Sequence, residues 1–578
     1  MKSKIQELLK QSVNALVEAG TVSEASVPAA IPVDSARRAG QGDYATGVAL
    51  SMARPNGLKP AELASMIQDH LPAADFLDKT EVAGPGFINF FLSDIALTDV
   101  VAEILEKGND YGAGDIDNPD RILLEFVSAN PTGPLHVGHG RGVAFGDALA
   151  RLLRVAGHHV DTEYYVNDLG RQMDILCASV WIRYLQLHDK DVTLPVGAYQ
   201  GEYIMDCAKA FREQVDAEFA NLESDPPDVE NDDKDLVLTK LISWCRQSLG
   251  NDDFNTLRRF VLTEMVEMIR DDLKILGVVH DEWFFESRLL EQGDVEHAVS
   301  QLQEQGFLYQ SEGATWFRSS EFGDEKDRVL VRSNGELTYF ASDIAYHLDK
   351  LNRDYNYVIN IWGADHHGYI ARMMAALQAA GEDSNRLKIL LVQFATLYRA
   401  SVKIPMSTRA GEFVTLRELV EETGKDAARF FYVLRKSEQH LDFDLDLAKE
   451  ESSENPVYYV QYAHARICSV FRQMSERGIA RTEKGNLSLL ASETELGLTK
   501  SLVKYPEVIQ NAASSYEPHQ VAYYLRDVAT EFHSFYNKER ILDCEPSLRS
   551  ARLDLIDAVR QVLANGLNAL GVSTPESM

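Results

Sequence analysis

Positive charge is scarce in this sequence. The 578 residues include 57 Lys and Arg but 89 Asp and Glu, which gives a formal net charge of −32 at pH 7. Proteins that wrap nucleic acid without reading its sequence are usually basic, so this class is disfavoured. A nucleic-acid partner bound at one local surface stays open, because the field at the contact matters more than the total charge.

Paired cysteines and long apolar runs are also lacking. The five cysteines lie far apart, at Cys177, Cys207, Cys245, Cys468 and Cys544. This spacing predicts neither a zinc knuckle nor a disulfide framework, and it fits the reducing cytoplasm, where we expect the protein. No run of about 18 apolar residues occurs, so no membrane-spanning helix is predicted. The opening MKSKIQELLKQSVNAL is typical of an amphipathic helix rather than of a signal peptide.

Changes of pattern along the chain predict a multidomain α/β protein, and at roughly 150 residues per domain the length allows three or four domains. Residues 1–112 begin with the helix and continue through Gly- and Pro-punctuated segments, which predicts a small α+β domain. From 113 to 454, strand-like and helix-like segments alternate, which predicts a Rossmann-like parallel-sheet core. We expect one insertion in this core, at about 190–330. Residues 455–578 are typical of an all-α helical bundle.

The sharpest chemical signal is HVGH, which starts at His136 and separates the strand-like RILLEFV from a helical pattern. A glycine-rich turn lets the backbone approach a ligand, and a helix start offers N–H groups to an anion. His136 and His139 share one helical face and could hold a phosphate whose charge grows in a transition state. A helix cap, or half of a metal site, is the alternative. Because ligands bind at the carboxyl ends of parallel strands, the position favours nucleotide binding.

A second candidate loop, GADHHG at 363–368, follows the strand-like YNYVINIW. A polar turn is the plainer interpretation. A metal-dependent hydrolase is a further alternative, because Asp365, His366 and His367 could join the two histidines of the first motif. Adjacent side chains at a strand end point in opposite directions, which disfavours that metal site.

The first motif resembles a known signature. SANPTGPLHVGH at 128–139 resembles the HIGH signature of the class I aminoacyl-tRNA synthetases. PMSTR at 405–409, followed by AGEFVTL, resembles their second signature as the arginyl branch carries it. The resemblance implies ligation of L-arginine to tRNA(Arg) through an arginyl-adenylate, driven by ATP. It also implies that Mg²⁺ enters with ATP, that no other metal is needed, and that tRNA must be bound before the first step.

The second signature departs from the usual KMSKS pattern, because Pro405 and Thr408 stand where that pattern has lysines. The leaving pyrophosphate gains charge, so a cation is needed nearby. We expect Lys403 or Arg409 to supply it. The departure also supports an alternative, a synthetase-like protein that has lost catalysis. A small-molecule nucleotidyltransferase is another alternative, and it would need neither an N-terminal module nor a helical tail.

The resemblance implies roles for single residues. His136 and His139 would stabilise the α-phosphate transition state. The residues implied for ATP binding are Gly138, Gly363, Asp365, His366, Met406 and Ser407. The residues implied for arginine binding are Glu125, Asn130, Tyr339 and Asp343. Two of these are carboxylates, which suit the fork of a guanidinium.

The ends of the chain extend the resemblance. GDYATGVAL and VAGPGFINF resemble the N-terminal module that contacts the tRNA elbow, and NPVYYVQYAHARI at 455–467 resembles the start of an anticodon-binding domain. The residues expected to contact tRNA are Tyr462, His464, Arg466 and Met578. Aromatic residues along a helix are often core instead, so part of this set is expected to be packing. The family resemblance implies a monomer.

Overall fold

The structure, a computed structural model, describes residues 1–36, 40–222, 225–227, 233–404, 414–481 and 485–578. The elements of the N-terminal part are α1 (Lys2–Glu18), β1 (Asp34–Ser35), β2 (Tyr44–Thr46), α2 (Val48–Ala53), α3 (Pro60–Asp69), β3 (Leu77–Ala83), β4 (Phe87–Leu92) and α4 (Asp94–Lys107). The strands form an antiparallel sheet in the order β1-β2-β4-β3. Helix α1 buries Ile5, Leu9, Val13 and Leu16, the stripe that its four-residue spacing predicts.

The middle part begins with β5 (Arg121–Glu125), α5 (Val137–Val155), β6 (His159–Val166), α6 (Arg171–Gln186), α7 (Glu202–Gln214), α8 (Lys234–Ile275), β7 (Glu282–Phe285), α9 (Ser287–Gln292) and α10 (Asp294–Glu304). It continues with β8 (Leu308–Ser311), β9 (Ala314–Phe317), β10 (Arg328–Val331), α11 (Tyr339–Asn352), β11 (Tyr357–Gly363), α12 (Ile370–Ala379), β12 (Leu387–Val392), β13 (Ala395–Arg399) and β14 (Val402–Lys403).

The remaining elements are α13 (Leu416–Thr423), α14 (Lys425–Val433), β15 (Leu441–Asp444), α15 (Leu445–Lys449), α16 (Pro456–Glu476), α17 (Glu493–Val503), α18 (Tyr505–Ser515), α19 (His519–Lys538) and α20 (Pro546–Ala569). Helices α16–α20 form a bundle. Together with the mixed N-terminal part and the parallel sheet, this bundle confirms the predicted fold class. Within the described residues, no helix is long and apolar enough to cross a membrane.

The central sheet has the strand order β12-β11-β5-β6-β7, and every neighbouring pair is parallel. Strand β5 lies in the middle, with its apolar residues Ile122, Leu123 and Leu124 buried. All carboxyl ends therefore meet at one edge, and the loops that follow β5, β7 and β11 converge there. Ligands bind at this edge in parallel sheets.

The expectation of one insertion at about 190–330 is wrong. Strand β7 lies inside that range and pairs with β6, so the sheet is interrupted twice. Helices α6–α8 form the first interruption, and α9, α10 and the sheet β10-β9-β8 form the second. The four residues of β7, EWFF, are too short a run to stand out between long helical patterns. The first interruption has its own apolar core, which gathers Cys177, Cys207 and Cys245.

The N-terminal part rests on the C-terminal bundle. The Tyr111 hydroxyl donates to the Leu502 carbonyl at 3.1 Å, and Asn565 Nδ2 donates to the Tyr111 carbonyl at 3.2 Å. Lys500 Nζ lies 2.9 Å from Asp43 Oδ1. The first and last parts of the chain are thus joined directly by specific polar contacts.

One buried guanidinium, that of Arg429, connects helix α5 beside the central sheet to that bundle. Arg429 of α14 donates to the Asp147 carboxylate on α5 and to the Leu276 carbonyl just after α8, the latter at 2.8 Å. It also donates to the carbonyl of Leu570, just after α20, at 2.9 and 3.1 Å. Segments far apart in sequence therefore share one side chain.

Replacing Arg429 by Met should lower the free energy of unfolding by about 3–5 kcal/mol, because Asp147 would keep a buried charge without this partner. Urea denaturation followed by far-UV circular dichroism measures the loss. Arg151 is the matched control, since it also binds Asp147 at 2.6 Å but is partly exposed. Arg151→Met should cost about 1 kcal/mol or less. Equal losses in both variants would contradict the central place given to Arg429.

Candidate active site at the carboxyl edge of the sheet

The turn between β5 and α5 fixes two histidines against the helix start. His136 is the N-cap of α5, and its Nδ1 accepts a hydrogen bond from Gly138 N at 3.1 Å. His139 Nδ1 accepts from His136 N at 3.4 Å. The two rings stack, with centroids 3.8 Å apart. The helix-cap alternative is therefore correct as geometry.

This capping also sets the chemistry of both rings. A ring nitrogen that accepts a backbone N–H is unprotonated, so each neutral imidazole carries its proton on Nε2 and can donate there. Burial lowers the pKa of His136. Burial lowers the pKa of His139 to about 3, and the neighbouring His136 acts in the same direction. Capping and phosphate binding are compatible, because they use different nitrogens.

The strand-like segment after the second signature pairs with this turn. Leu416 N donates to the Leu135 carbonyl at 2.8 Å, and Val137 N donates to the Val414 carbonyl at 3.1 Å. The chain that leaves the second signature is thus hydrogen-bonded to the first. Lys403 lies exposed on β14. Three residues expected in the site, Met406, Ser407 and Arg409, lie outside the described residues.

The loop after β11 brings Gly363, Asp365 and His366 to the same edge, and the two side chains are exposed. His366 Nε2 lies 3.8 Å from Asp365 Oδ2. Among the described residues, no group of three or more His, Cys, Asp or Glu is placed to hold a metal ion. The metal-dependent hydrolase therefore has no ligand set in the described part of the chain.

An exposed aromatic ring lies between the two glycine-containing loops, and sequence reasoning missed it. Phe394 follows β12 and is 46% exposed. A Cβ atom on Gly363 would lie 3.4 Å from its ring, and one on Gly138 would lie 3.8 Å away. The available signal was the phenylalanine directly after an apolar strand. A bare ring flanked by glycines offers a flat surface on which a base can stack.

Glu125 ends β5 and already has a cation. Its carboxylate binds the ammonium of the fully buried Lys350 and accepts from Ser128 Oγ at 2.7 Å. Burial raises the pKa of Glu125, but Lys350 and Ser128 outweigh burial and leave the pKa lowered. Glu125 is thus an ionised side chain whose charge is balanced inside the protein. Sequence reasoning missed Lys350, which lies more than two hundred positions away.

Two other carboxylates at this edge lack such a partner. Asp343, on α11, accepts from the Tyr369 hydroxyl, and burial raises its pKa to about 6. Glu286 directly follows β7, and burial raises its pKa to about 7, with the charges of Asp343 and Asp168 adding to the shift. Within the described residues, neither forms a salt bridge with Lys or Arg. The pair is suited to an external cation.

Glu286 is the main residue that sequence reasoning missed at this site. Its signal was present in WFFES, where an acid follows a short strand. The misplaced insertion hid that strand, and therefore hid its carboxyl end.

Tyr339 and Asn130 lie beside the start of α6. Tyr339 is 58% exposed, and its hydroxyl would lie 2.8 Å from a Cβ atom on Gly170. Asn130 Nδ2 donates to Gln172 Oε1 at 2.9 Å. Both side chains thus contact the start of α6.

The residues expected to contact tRNA divide between surface and interior. Tyr462 stacks on Tyr458 with centroids 5.8 Å apart, and the Arg466 guanidinium lies 4.6 Å from the Tyr462 centroid. His464, by contrast, is buried, and its Nδ1 lies 2.9 Å from the Pro575 carbonyl. The expectation that His464 offers a contact surface is wrong, because its ring holds the C-terminal tail. Met578, at the end of that tail, is exposed.

The hydrogen-bond pattern predicts the Nε2–H tautomer for both His136 and His139. His139 should show no titration above pH 5, since its pKa is about 3. Two-bond ¹H–¹⁵N correlation spectra of protein labelled at histidine measure the tautomer and the titration. The His139→Asn variant identifies its signal. A midpoint near the ordinary histidine value would contradict the burial.

Comparison with known proteins covers the whole chain. Family models match for the arginyl-tRNA synthetase N-terminal domain at residues 3–92, for the class I (R) tRNA synthetase catalytic domain at 100–444, and for the DALR anticodon binding domain at 460–578. The terminal matches argue against a small-molecule nucleotidyltransferase, which would need neither terminal domain.

Relatives and solved structures agree. The chain is 50% identical to the arginine–tRNA ligase of Thioalkalivibrio sulfidiphilus and 51% identical to that of Halorhodospira halophila, each with 100% of both chains covered. An arginyl-tRNA synthetase structure from Thermus thermophilus has the same fold, with a TM-score of 0.77, 24% identity and 100% of both chains covered. The matched domains and these relatives show that the chain belongs to the arginyl-tRNA synthetases of class I.

Proposed function

We propose that this chain ligates L-arginine to tRNA(Arg) in two steps at the carboxyl edge of its sheet. The arginine carboxylate attacks the α-phosphorus of ATP, and the bond to pyrophosphate breaks, giving arginyl-adenylate. The tRNA terminal ribose then attacks the arginyl carbonyl and releases AMP. The observation that carries the proposal is the pair Asp343 and Glu286, which forms no salt bridge with a described Lys or Arg and shares this edge with the histidine turn.

The histidines act as neutral hydrogen-bond donors. His136 and His139 present Nε2–H groups to the α-phosphate oxygens, whose charge increases as the pentacoordinate transition state forms. No protein nucleophile is needed, because the substrate carboxylate attacks. Mg²⁺ enters with ATP as part of the substrate and balances charge on the phosphates.

The rest of the ATP site follows from the loops around the turn. The bare backbone at Gly138 and Gly363 admits the nucleotide closely. Asp365 and His366 contact the nucleoside from the loop after β11. Phe394, between the glycines, provides a stacking surface for adenine.

The pyrophosphate end of ATP is neutralised from the second signature. Lys403 is exposed on β14, two residues before the second signature begins. It supplies a cation together with Arg409, and Met406 and Ser407 also bind ATP.

Arginine is selected by charge and shape. Asp343 and Glu286 bind the guanidinium, since two carboxylates match its fork of N–H donors. Tyr339 and Asn130 hold the substrate at the rim. Glu125 also contributes to arginine binding. Its charge is already paired with Lys350, so Asp343 and Glu286 remain the carboxylates for the guanidinium.

tRNA binds across the terminal domains, where the helical bundle offers Tyr462 and Arg466 as stacking surfaces for unpaired bases. Met578 lies exposed at the end of the tail that packs along α16. The N-terminal domain contacts the tRNA elbow. The enzyme acts as a monomer in the cytoplasm.

Arginine-dependent ATP–pyrophosphate exchange, measured with and without tRNA(Arg), tests the proposal. We expect exchange with arginine alone among the amino acids, and only when tRNA is present. His139→Asn should lower kcat by about a hundredfold or more, the usual loss for a transition-state donor. Exchange with another amino acid would overturn the specificity. No exchange in folded protein would favour the homologue without catalysis.

The KM for arginine should depend on pH through the two unpaired carboxylates. The pKa values of Asp343 and Glu286 are raised to about 6 and about 7, and a bound cation requires the ionised forms. Protons therefore compete with arginine, so KM should be lowest near pH 8 and rise as the pH falls below 7. The KM for ATP should follow this trend only weakly.

Glu286→Gln should raise the KM for arginine by about tenfold or more, because one charge-assisted hydrogen bond is lost. It should also flatten the dependence of KM on pH between 6 and 8. Glu282→Gln is the matched control, since Glu282 lies exposed on β7, the strand that Glu286 follows. An unchanged KM in Glu286→Gln would remove Glu286 from the pocket.

A further inference from the structure

The far end of the helical insertion reaches the histidine turn through one carboxylate. Asp272 lies in the last turn of α8 and is 2% exposed. Its Oδ2 accepts from Leu135 N at 3.0 Å, and its Oδ1 accepts from an Arg417 nitrogen at 3.0 Å. Each oxygen therefore binds a different segment of the catalytic domain.

Both segments belong to the signature regions. Leu135 directly precedes His136, so a bond to its N–H fixes where the turn begins. Arg417 lies in the first turn of α13, directly after the residues that pair with that turn. The antiparallel bridge between His136 and Thr415 joins the same two segments. Asp272 thus links α8 to the first signature and to the chain that follows the second signature, two segments that also contact each other.

The insertion holds the same loop at a second point. The Tyr203 hydroxyl of α7 donates to the Thr132 carbonyl at 2.8 Å. A Cβ atom on Gly133 would lie 2.8 Å from that hydroxyl, so the ring lies directly on the loop backbone. Contacts from α7 and α8 therefore hold the loop before His136 at two points.

A buried carboxylate is costly unless its partners are in place. Burial raises the pKa of Asp272, and its bonds to Leu135 and Arg417 act against that shift. Loss of the carboxylate would leave the Leu135 N–H without its partner and would release Arg417. The turn and α13 would then keep their mutual backbone bonds but lose this link to α8.

We propose that Asp272 is a positioning residue for adenylate formation. It fixes the position of the histidine turn relative to the chain that carries the second signature. It also links both segments to the helical insertion. Asp272 acts through Leu135 and Arg417 and contacts no reacting atom. The inference rests on the proposed function, in which both signatures hold the phosphates of ATP.

Arginine-dependent ATP–pyrophosphate exchange by the full chain with tRNA tests the inference. Asp272→Asn breaks the Arg417 bond, and Asp272→Ala breaks both bonds. We expect kcat to fall by about tenfold in the first variant and by up to about a hundredfold in the second, as small misplacements of catalytic groups do. The KM for arginine should stay unchanged, because Asp343 and Glu286 do not contact Asp272.

Asp271 provides the matched control. It neighbours Asp272 on the same helix turn, but it forms an exposed ion pair with Lys274 at 3.1 Å. Asp271→Asn and Asp271→Ala should exchange at the wild-type rate. A kcat for Asp272→Ala equal to that of Asp271→Ala would overturn the inference, as would a parallel rise in the KM for arginine.

A second variant tests the other end of the contact. Arg417→Met should lower kcat in the same direction as Asp272→Asn, and the double variant should lose little more, because both remove one interaction. Arg417→Lys should restore most of the loss. Additive losses would show that the two side chains act independently and would overturn the inference.

Hydrogen–deuterium exchange separates failure of this inference from failure of the proposed function. Peptides spanning the histidine turn and the start of α13 should exchange faster in Asp272→Ala than in Asp271→Ala. This readout needs no activity, so it decides on Asp272 even if the wild-type chain shows no pyrophosphate exchange. Identical exchange of these peptides in the two variants would overturn the inference.

Discussion

The buried Arg429 guanidinium is the contact on which the arrangement of the domains depends. It binds the Asp147 carboxylate on α5, the helix that begins at the histidine turn, and the carbonyls that follow α8 and α20. Gly571 must be glycine-sized there, since a Cβ atom would lie 2.1 Å from the guanidinium. The active-site helix, the insertion and the helical bundle are thus fixed to one planar group. Movement of any one of them strains the other two.

The same physical arrangement, a buried carboxylate paired with a cation, recurs around the sheet and is missing at the proposed arginine site. Asp147 has Arg429, Glu125 has Lys350 and Asp272 has Arg417, so these buried carboxylates are balanced within the protein. Asp343 and Glu286 lie at the same edge without such cations among the described residues. Buried carboxyl groups without counter-charges have raised pKa values. A cation that binds them must therefore displace protons.

The sequence predicted those parts of the fold that depend on local pattern. The turn at His136, the strand before it and the change to a helical bundle all follow from spacing within a few residues. Strand β7 was missed because four residues carry too little periodicity to be recognised between long helices. The error had a consequence, since Glu286 follows that strand and was hidden with it.

Contacts between residues far apart in the sequence were the second feature that could not be predicted. Nothing near Glu125 in the sequence indicates that Lys350 neutralises it, because the partner comes from a helix on another strand crossover. His464 shows the same limit on a helix. Tyr462 and Arg466 lie four residues apart and share a half-buried face, whereas His464 lies between them and points inward onto Pro575. Spacing separates the faces, but only the packed structure says which face is covered.

Because both histidines are neutral, hydrogen bonds and positive charge must come from different groups in the proposed reaction. Two imidazolium rings with centroids 3.8 Å apart would repel each other, and burial removes that repulsion by keeping both rings uncharged. The pair therefore supplies hydrogen bonds at the α-phosphate but no net charge. Positive charge must come from Mg²⁺ and from the second signature, at the end where pyrophosphate leaves. Since the histidine turn and the segment following that signature share backbone bonds, their separation is set by the fold, and Asp272 is placed to hold it.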